Sequence, residues 1–414
     1  MIFINILLLN HHASAPDVGG GGRHFELAEQ FSEEGHHVSV MASSYDTRNK
    51  NYYFQDEVNK KKFNDKFEFI RFKTKPAYNG TLGRFLNYQD YKRKTANYRE
   101  FKEEPDVVIA SSVHPFAWMS GYKLSKKYNA KFIVEVRDLW PLSMYEDFSG
   151  LLRKIIFAYF ESIEKKYYSL ADAIITTAPF ADEYMEEKYN TNRDKVFHIP
   201  HGLDLERFDK NKNMSDEILS ERLNNILNNN FCVTYTGALS KSEGLSTFVK
   251  NAKHLRDIDN FKFVIVGGGG EKENLENIIE AEELDNVVMI DKQPRDYIPL
   301  ILKKSDILFC GLMDRKAFKY GISKNKFYDY MAAKKPIVFA SNVRGSLITK
   351  AKAGITIEPH KPKKLAGAIR NLYQNIDTDG RQYAENGREY VEKYHTTEKI
   401  AADFLEAINY TLSK

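Results

Sequence analysis

Cysteine and tryptophan are scarce in this chain of 414 residues, with two of each, and proline occurs only twelve times. Cys232 and Cys310 each sit inside an apolar, strand-like run, so they fit reduced core thiols in a cytosol better than a disulfide frame or a thiolate metal site. No apolar run approaches membrane-spanning length. The run that opens the chain, Met1 to Leu9, lacks a basic leader and stops at Asn10-His11-His12, which reads as a buried strand and not a signal peptide. No P-loop, serine-hydrolase elbow or zinc-binding helix is present. An excess of one charge is also missing overall, with 61 Lys and Arg against 57 Asp and Glu.

The balance breaks locally. Between Lys60 and Glu103, 13 basic residues face 5 acidic ones, interleaved with ten aromatic residues including Tyr78 and Phe85. That mixture suits the headgroup region of an anionic membrane, and it equally describes a solvated face with its rings turned inward. No nucleic-acid motif accompanies it, and nucleic acid is not expected as a partner.

Strand-like runs alternate with helical patterns, which argues for α/β architecture with mostly parallel sheets. The first half offers strands at Ile2–Leu9, His37–Ala42, Phe67–Phe72, Val107–Ala110, Phe132–Val136, Ala173–Thr176 and Val196–Ile199. The pattern breaks at Ile199-Pro200-His201-Gly202-Leu203-Asp204 and then restarts at Phe231–Thr236, Phe261–Val266, Val287–Ile290, Ile307–Cys310, Ile337–Ala340 and Ile355–Ile357. Two doubly wound, Rossmann-like domains follow, residues 1–201 and 202–394, with a last helix in 395–414 expected to return to the first domain.

Each half places a glycine run between a strand and a helix: Gly19-Gly20-Gly21-Gly22 before Arg23-His24, and Gly267-Gly268-Gly269-Gly270 before Glu271-Lys272. Backbone N–H groups left uncovered at a helix start suit a diphosphate, and two such turns would place it in a cleft between the domains. Neither run is a dinucleotide fingerprint, because His24 and Lys272 stand where the third glycine belongs. The Asp-x-Asp pairs Asp257/Asp259 and Asp377/Asp379 lie in polar junctions where aspartates cap helices, so no metal is expected there.

The segment from Gly321 to Val338, with Ser323-Lys324-Asn325-Lys326 and Asp329-Tyr330-Met331-Ala332, resembles the helix-start signature of the retaining glycosyltransferases of the two-Rossmann-domain GT-B fold, family four. Gly19–His24 with Gly35-His36, and Val136-Arg137-Asp138-Leu139-Trp140-Pro141, are similar to the branch that builds O-antigens and capsules and includes N-acetyl-fucosamine transferases. The likeness runs through nearly the whole chain, taking in Tyr235-Thr236-Gly237-Ala238.

The resemblance implies a UDP-sugar donor, a polyprenyl-diphosphate-linked acceptor at the inner face of a cell membrane, and neither cofactor nor metal. It puts Asp329 where the family binds the nucleotide ribose and Lys326 near the phosphates, with Gly20, Gly21, Gly22, His24, Gly237, Gly268 and Gly269 beside the donor. The family's second glutamate falls on Gly321, and its Arg and Lys after the first strand of the second domain fall on Ala238 and Glu243, leaving Lys241 as the substitute cation. Arg137 takes the place of a sugar-contacting histidine; with Asp138 it would hold sugar hydroxyls, and Asp138 would accept the acceptor's proton. His114 is a further candidate on the same rim. A structural ion pair at Arg137 and Asp138, a UDP-sugar 2-epimerase of the same fold, and a non-catalytic nucleotide-sugar-binding subunit stay open as alternatives.

Overall fold

Short runs of Val, Ile, Leu and Phe, bounded by turn residues, form parallel strands that helices cover on both faces. The computed structural model describes residues 3–19, 21–47, 49–77, 80–112, 114–146 and 149–414; Ile2, Gly20 and Tyr78 lie outside them. The chain divides into two units, Met1–Pro200 with Thr397–Lys414, and His201–Thr396.

In the first unit the strands are β1 (Asn5–Leu9), β2 (His37–Ser43), β3 (Tyr45–Asp46), β4 (Asn51–Tyr52), β5 (Val58–Lys62), β6 (Phe67–Phe72), β7 (Val107–Ser111), β8 (Lys131–Val136), β9 (Ala173–Thr176) and β10 (Val196–His198). Eight of them make one sheet in the order β10-β9-β8-β7-β1-β2-β6-β5, parallel except for the edge strand β5, while β3 and β4 form a small separate hairpin. The order reverses between β1 and β7, and the crevice at the carboxyl ends of these two strands is where a doubly wound sheet takes its ligand.

The helix Arg23–Glu33 packs Phe25, Ala28 and Phe31 against this sheet and stops before Gly35, whose φ of 99° favours glycine. Ile400, Ala401, Phe404 and Ile408 of the helix Thr397–Leu412 join the same core.

The aromatic residues of the basic stretch are largely folded inward, whereas most of its Lys and Arg side chains stay exposed. Phe67, Phe69, Phe72, Tyr91 and Tyr98 are buried, and Lys60, Arg93 and Lys94 pair with Glu100, Asp90 and Glu57. The helix Thr81–Asn97 exposes Leu82, Phe85 and Leu86 along with Arg84 and Arg93. Most rings of this stretch thus serve the core, as in the reading of it as a solvated face with its aromatics turned inward.

The second unit contains β11 (Phe231–Ala238), β12 (Phe261–Gly268), β13 (Val287–Ile290), β14 (Ile307–Gly311), β15 (Ile337–Ala340) and β16 (Gly354–Ile357), all parallel, in the order β13-β12-β11-β14-β15-β16. Here the switch point lies between β11 and β14. Cys232 and Cys310 are buried and unbridged, and burial pushes both thiols up to about 12.

One buried carboxylate makes stability depend on pH. Glu164 of the helix Gly150–Leu170 accepts hydroxyl hydrogen bonds from Tyr168 (2.7 Å), Tyr184 (2.9 Å) and Tyr189 (2.6 Å), the last two from the neighbouring helix Ala181–Tyr189 and its end. Burial pushes its carboxyl up to about 7 against the pull of these hydroxyls and Lys188, which itself pairs with Glu161. Between the unfolded value near 4.5 and the folded one, the folded chain keeps a proton that the unfolded chain has lost, so stability falls as pH rises through that window. The full effect is about 3 kcal/mol. Glu164→Gln is expected to flatten this slope in thermal melts between pH 5 and pH 8, and parallel wild-type and variant profiles would contradict it.

Candidate functional site

The first glycine run is open. Gly21 and Gly22 have φ of 158° and 113°, Gly22 starts the helix Arg23–Glu33 without a side-chain cap, and no atom lies within 4 Å of a Cβ placed on Gly19 or Gly22. The turn is held from behind: Ser14 Oγ donates to the Gly21 carbonyl (3.2 Å) and accepts from its N–H (3.3 Å). Asp17 receives two bonds from the buried guanidinium of Arg71 (3.1 and 2.7 Å).

Directly after the run, Arg23 and His24 turn inward. Arg23 Nε and His24 Nε2 both donate to the buried carboxylate of Glu135 on β8, each at 2.7 Å. Arg23 also bonds the carbonyls of Ile199 (2.8 Å) and Pro200. The other ring nitrogen of His24 accepts from Asn10 Nδ2 (3.0 Å). With both nitrogens taken and 4% of its surface exposed, His24 fixes the turn from beneath, which corrects its expected place as a donor contact. Burial lowers the His24 pKa despite the Glu135 charge. Glu135, which burial alone would raise, is held well below the usual range by His24 and Arg23.

His114, expected at the rim, is also beneath it. It is fully buried, its Nε2 is 2.7 Å from His11 Nδ1, and its ring stacks on Tyr88 at 3.9 Å. Burial and His12 keep it neutral by lowering its pKa well below the ordinary value. Arg137 differs from both. It follows β8, is half-buried, and its guanidinium has no hydrogen-bond partner among the described residues; the buried Nε is left unsatisfied. Asp138 beside it is exposed.

In the second unit the glycines serve close packing. A Cβ on Gly267 would lie 1.9 Å from the Gly237 carbonyl oxygen, and one on Gly269 would lie 2.3 Å from that of Leu239. The Leu239 N–H donates to the Gly268 carbonyl and the Leu239 carbonyl accepts from the Glu271 N–H, each at 3.0 Å, so this run clamps the loop after β11 and leaves Gly268 half-exposed. Gly237, with φ of 145°, leaves space that a cation fills: a Cβ there would meet Lys326 Nζ at 3.1 Å.

That cation belongs to a cluster the sequence did not announce. Lys326 donates to Glu243 (2.6 Å) and to the Tyr235 hydroxyl (2.9 Å), and Lys324 donates to the other oxygen of Glu243 (2.5 Å). Lys241, the expected substitute cation, is exposed and its ammonium has no partner among the described residues. Asp329, on the helix Asn325–Ala332, is buried and receives two bonds of 2.7 Å from Arg295. Among the described residues no group of three or more His, Cys, Asp or Glu side chains could hold a metal ion. Asp257 instead pairs with Arg370 (2.7 Å).

Two doubly wound units in one chain are the architecture of the GT-B class of protein. Residues 18–207 match the family model described as Glycosyltransferase Family 4, and residues 218–390 match Glycosyl transferases group 1. By both matches and the fold, the chain belongs to the GT-B glycosyltransferases. It is 28% identical over 224 residues to an uncharacterised glycosyltransferase of Methanocaldococcus jannaschii, covering 52% of each chain. It is 26% identical over 199 residues to the putative colanic acid biosynthesis glycosyl transferase WcaI of Escherichia coli, covering 46% of this chain and 48% of that one. The match thus spans about half the length of these relatives. The crystal structure of Anabaena HepE in complex with UDP and glucose superposes with a TM-score of 0.66 at 17% identity, over 98% of this chain and 99% of that one.

Proposed function

We propose that the chain is a retaining glycosyltransferase that moves a sugar from a UDP-sugar to a polyprenyl-diphosphate-linked acceptor in cell-surface polysaccharide synthesis. The observation that carries this reading is the pair of lysines, Lys324 and Lys326, gathered at the switch point of the second unit. Breaking a sugar–diphosphate bond leaves charge on the departing oxygens, and fixed ammonium groups stabilise it without a metal. Asp329 has lone pairs left for ribose hydroxyls beyond its two bonds to Arg295. In the first unit the start of the helix Arg23–Glu33 at Gly22 presents backbone N–H groups, the unpartnered guanidinium of Arg137 meets sugar hydroxyls, and the exposed Asp138 accepts the proton of the attacking hydroxyl.

The relatives agree in kind: HepE is solved with UDP and glucose, and WcaI carries a polysaccharide-biosynthesis name. An N-acetylated sugar such as N-acetyl-fucosamine is the proposed donor moiety, on the likeness around Val136–Pro141. Incubating the purified chain with a panel of UDP-sugars, with and without a short lipid-diphosphate-linked sugar, tests the reading. Sugar transfer that needs the acceptor is expected. Acceptor-independent conversion would mark an epimerase, and binding without turnover would mark a subunit of an assembly.

The acceptor places the enzyme at the cytoplasmic face of a membrane, although no helix among the described residues is long and apolar enough to cross one. Leu82, Phe85 and Leu86 supply an exposed apolar edge, and Phe85 leads through Phe116 to Phe160 on the helix that also exposes Leu151, Ile155 and Tyr159. Changing Leu82 and Leu86 together to Asp is expected to reduce co-sedimentation with anionic vesicles about tenfold or more. Unchanged sedimentation would return this edge to ordinary solvent-facing surface.

A further inference from the structure

The family pattern offers a cation where this chain has Glu243, and the structure shows what the reversed charge does. Glu243 closes a short turn, Lys241–Glu243, that packs on the end of β14: the Met313 N–H donates to the Ser242 carbonyl (2.9 Å), and a Cβ on Gly311 would lie 2.5 Å from the Glu243 carbonyl oxygen. The side chain is therefore fixed at the switch point. Each carboxylate oxygen takes one lysine, Oε1 from Lys324 and Oε2 from Lys326.

Those lysines are two residues apart at the start of the helix Asn325–Ala332, a spacing that does not bring side chains together by itself. Lysine is a flexible point charge, and two ammonium groups repel each other. We propose that Glu243 is a positioning residue, gathering Lys324 and Lys326 into one two-cation receptor for the terminal phosphate of a nucleoside diphosphate. This rests on the donor reading above and names the part of the site that recognises the second phosphate.

Donor capacity is left for that ligand. Of three N–H groups on each ammonium, Lys324 spends one on Glu243, and Lys326 spends one on Glu243 and one on Tyr235. Three groups of net charge +1 attract a diphosphate, whereas two unneutralised lysines would be driven apart. A side chain on Gly237 would crowd the ammonium of Lys326, since its Cβ would lie 3.1 Å from Nζ. The carboxyl of Glu243, which burial alone would raise, is lowered by Lys326 and Lys324, so it stays ionised and able to hold both.

The test is calorimetric titration of the whole chain with UDP, UMP and uridine, in wild type, Glu243→Gln and Lys324→Gln. Glu243→Gln keeps the side-chain size and is expected to lose about tenfold of the preference for UDP over UMP, with uridine affinity unchanged. Lys324→Gln is expected to lose that preference too. A merely structural role would weaken all three ligands together, which overturns the proposal. So does a UDP-to-UMP preference that stays the same in Glu243→Gln, or that rises because a repelling carboxylate has gone. If Glu243→Gln shows no cooperative melt, the same ratio in Lys324→Gln decides. Wild type without any preference for UDP over UMP overturns the donor reading together with this proposal, whereas a wild-type preference untouched by either variant overturns the proposal alone.

Discussion

In Glu135→Leu the thermal transition of the first unit is expected to fall by roughly 6–20 °C. The estimate follows from about 3–5 kcal/mol for removing one partner of a buried ion pair, at about 2–4 °C per kcal/mol for a unit of this size. Glu135 is wholly buried and neutralises Arg23, whose side chain is 5% exposed, while also fixing the tautomer and direction of His24. Leucine would leave a buried guanidinium with only the carbonyls of Ile199 and Pro200, and an imidazole with one nitrogen unsatisfied. The glycine turn stands directly on these two residues, so its geometry should loosen with them. Replacing all three, as Arg23→Met, His24→Leu and Glu135→Leu, should recover part of the loss, because no uncompensated charge then remains. The sign with pH runs opposite to that of Glu164. A carboxyl held below its unfolded value contributes its full stability above the unfolded pKa and loses it as pH falls through the folded one. A melting point for Glu135→Leu equal to that of wild type would show that the pair does not hold the turn.

Lys326→Ala is expected to weaken UDP binding about ten- to hundredfold, the loss of one charge-assisted contact of about 1.5–3 kcal/mol. The ammonium sits over the Tyr235 ring at 4.2 Å and fills the space beside Gly237. Lys324 remains to neutralise Glu243 in the variant, which keeps the fold. Lys241→Ala provides the comparison, since its exposed ammonium has no framework to hold it toward a ligand. Equal UDP affinity in Lys326→Ala and wild type would remove Lys326 from the site, and a larger loss in Lys241→Ala would move the phosphate cation to the loop after β11.

How much of this could be read from residues alone varies with burial. Strands Phe67–Phe72, Ala173–Thr176, Val287–Ile290 and Ile337–Ala340 have the same ends in sequence and structure, because buried parallel strands are continuous apolar runs between turn residues. The small hairpin of β3 and β4 and the edge strand β5 were not legible. β5 reads Val-Asn-Lys-Lys-Lys and is mostly exposed, so no apolar alternation marks it. Lys326 and Asp329 were singled out through a likeness of pattern, but their ion pairs with Glu243 and Arg295 were not, since pairing across 83 and 34 residues leaves no local trace. Glu135 lies within Lys-Phe-Ile-Val-Glu-Val and Arg71 within Phe-Glu-Phe-Ile-Arg-Phe, and a charge inside a buried strand requires a partner. Those two residues hold the glycine turn from both sides, Arg71 through Asp17 and Glu135 through Arg23 and His24.

The most direct measurement is calorimetric titration of UDP into the whole chain with EDTA present. Saturable one-to-one binding that added magnesium leaves unchanged is the expected result, because the proposed site meets the diphosphate with lysines and backbone N–H groups. Failure to bind UDP, or binding that appears only once magnesium is restored, would contradict a metal-independent nucleotide-sugar site built around Lys324 and Lys326.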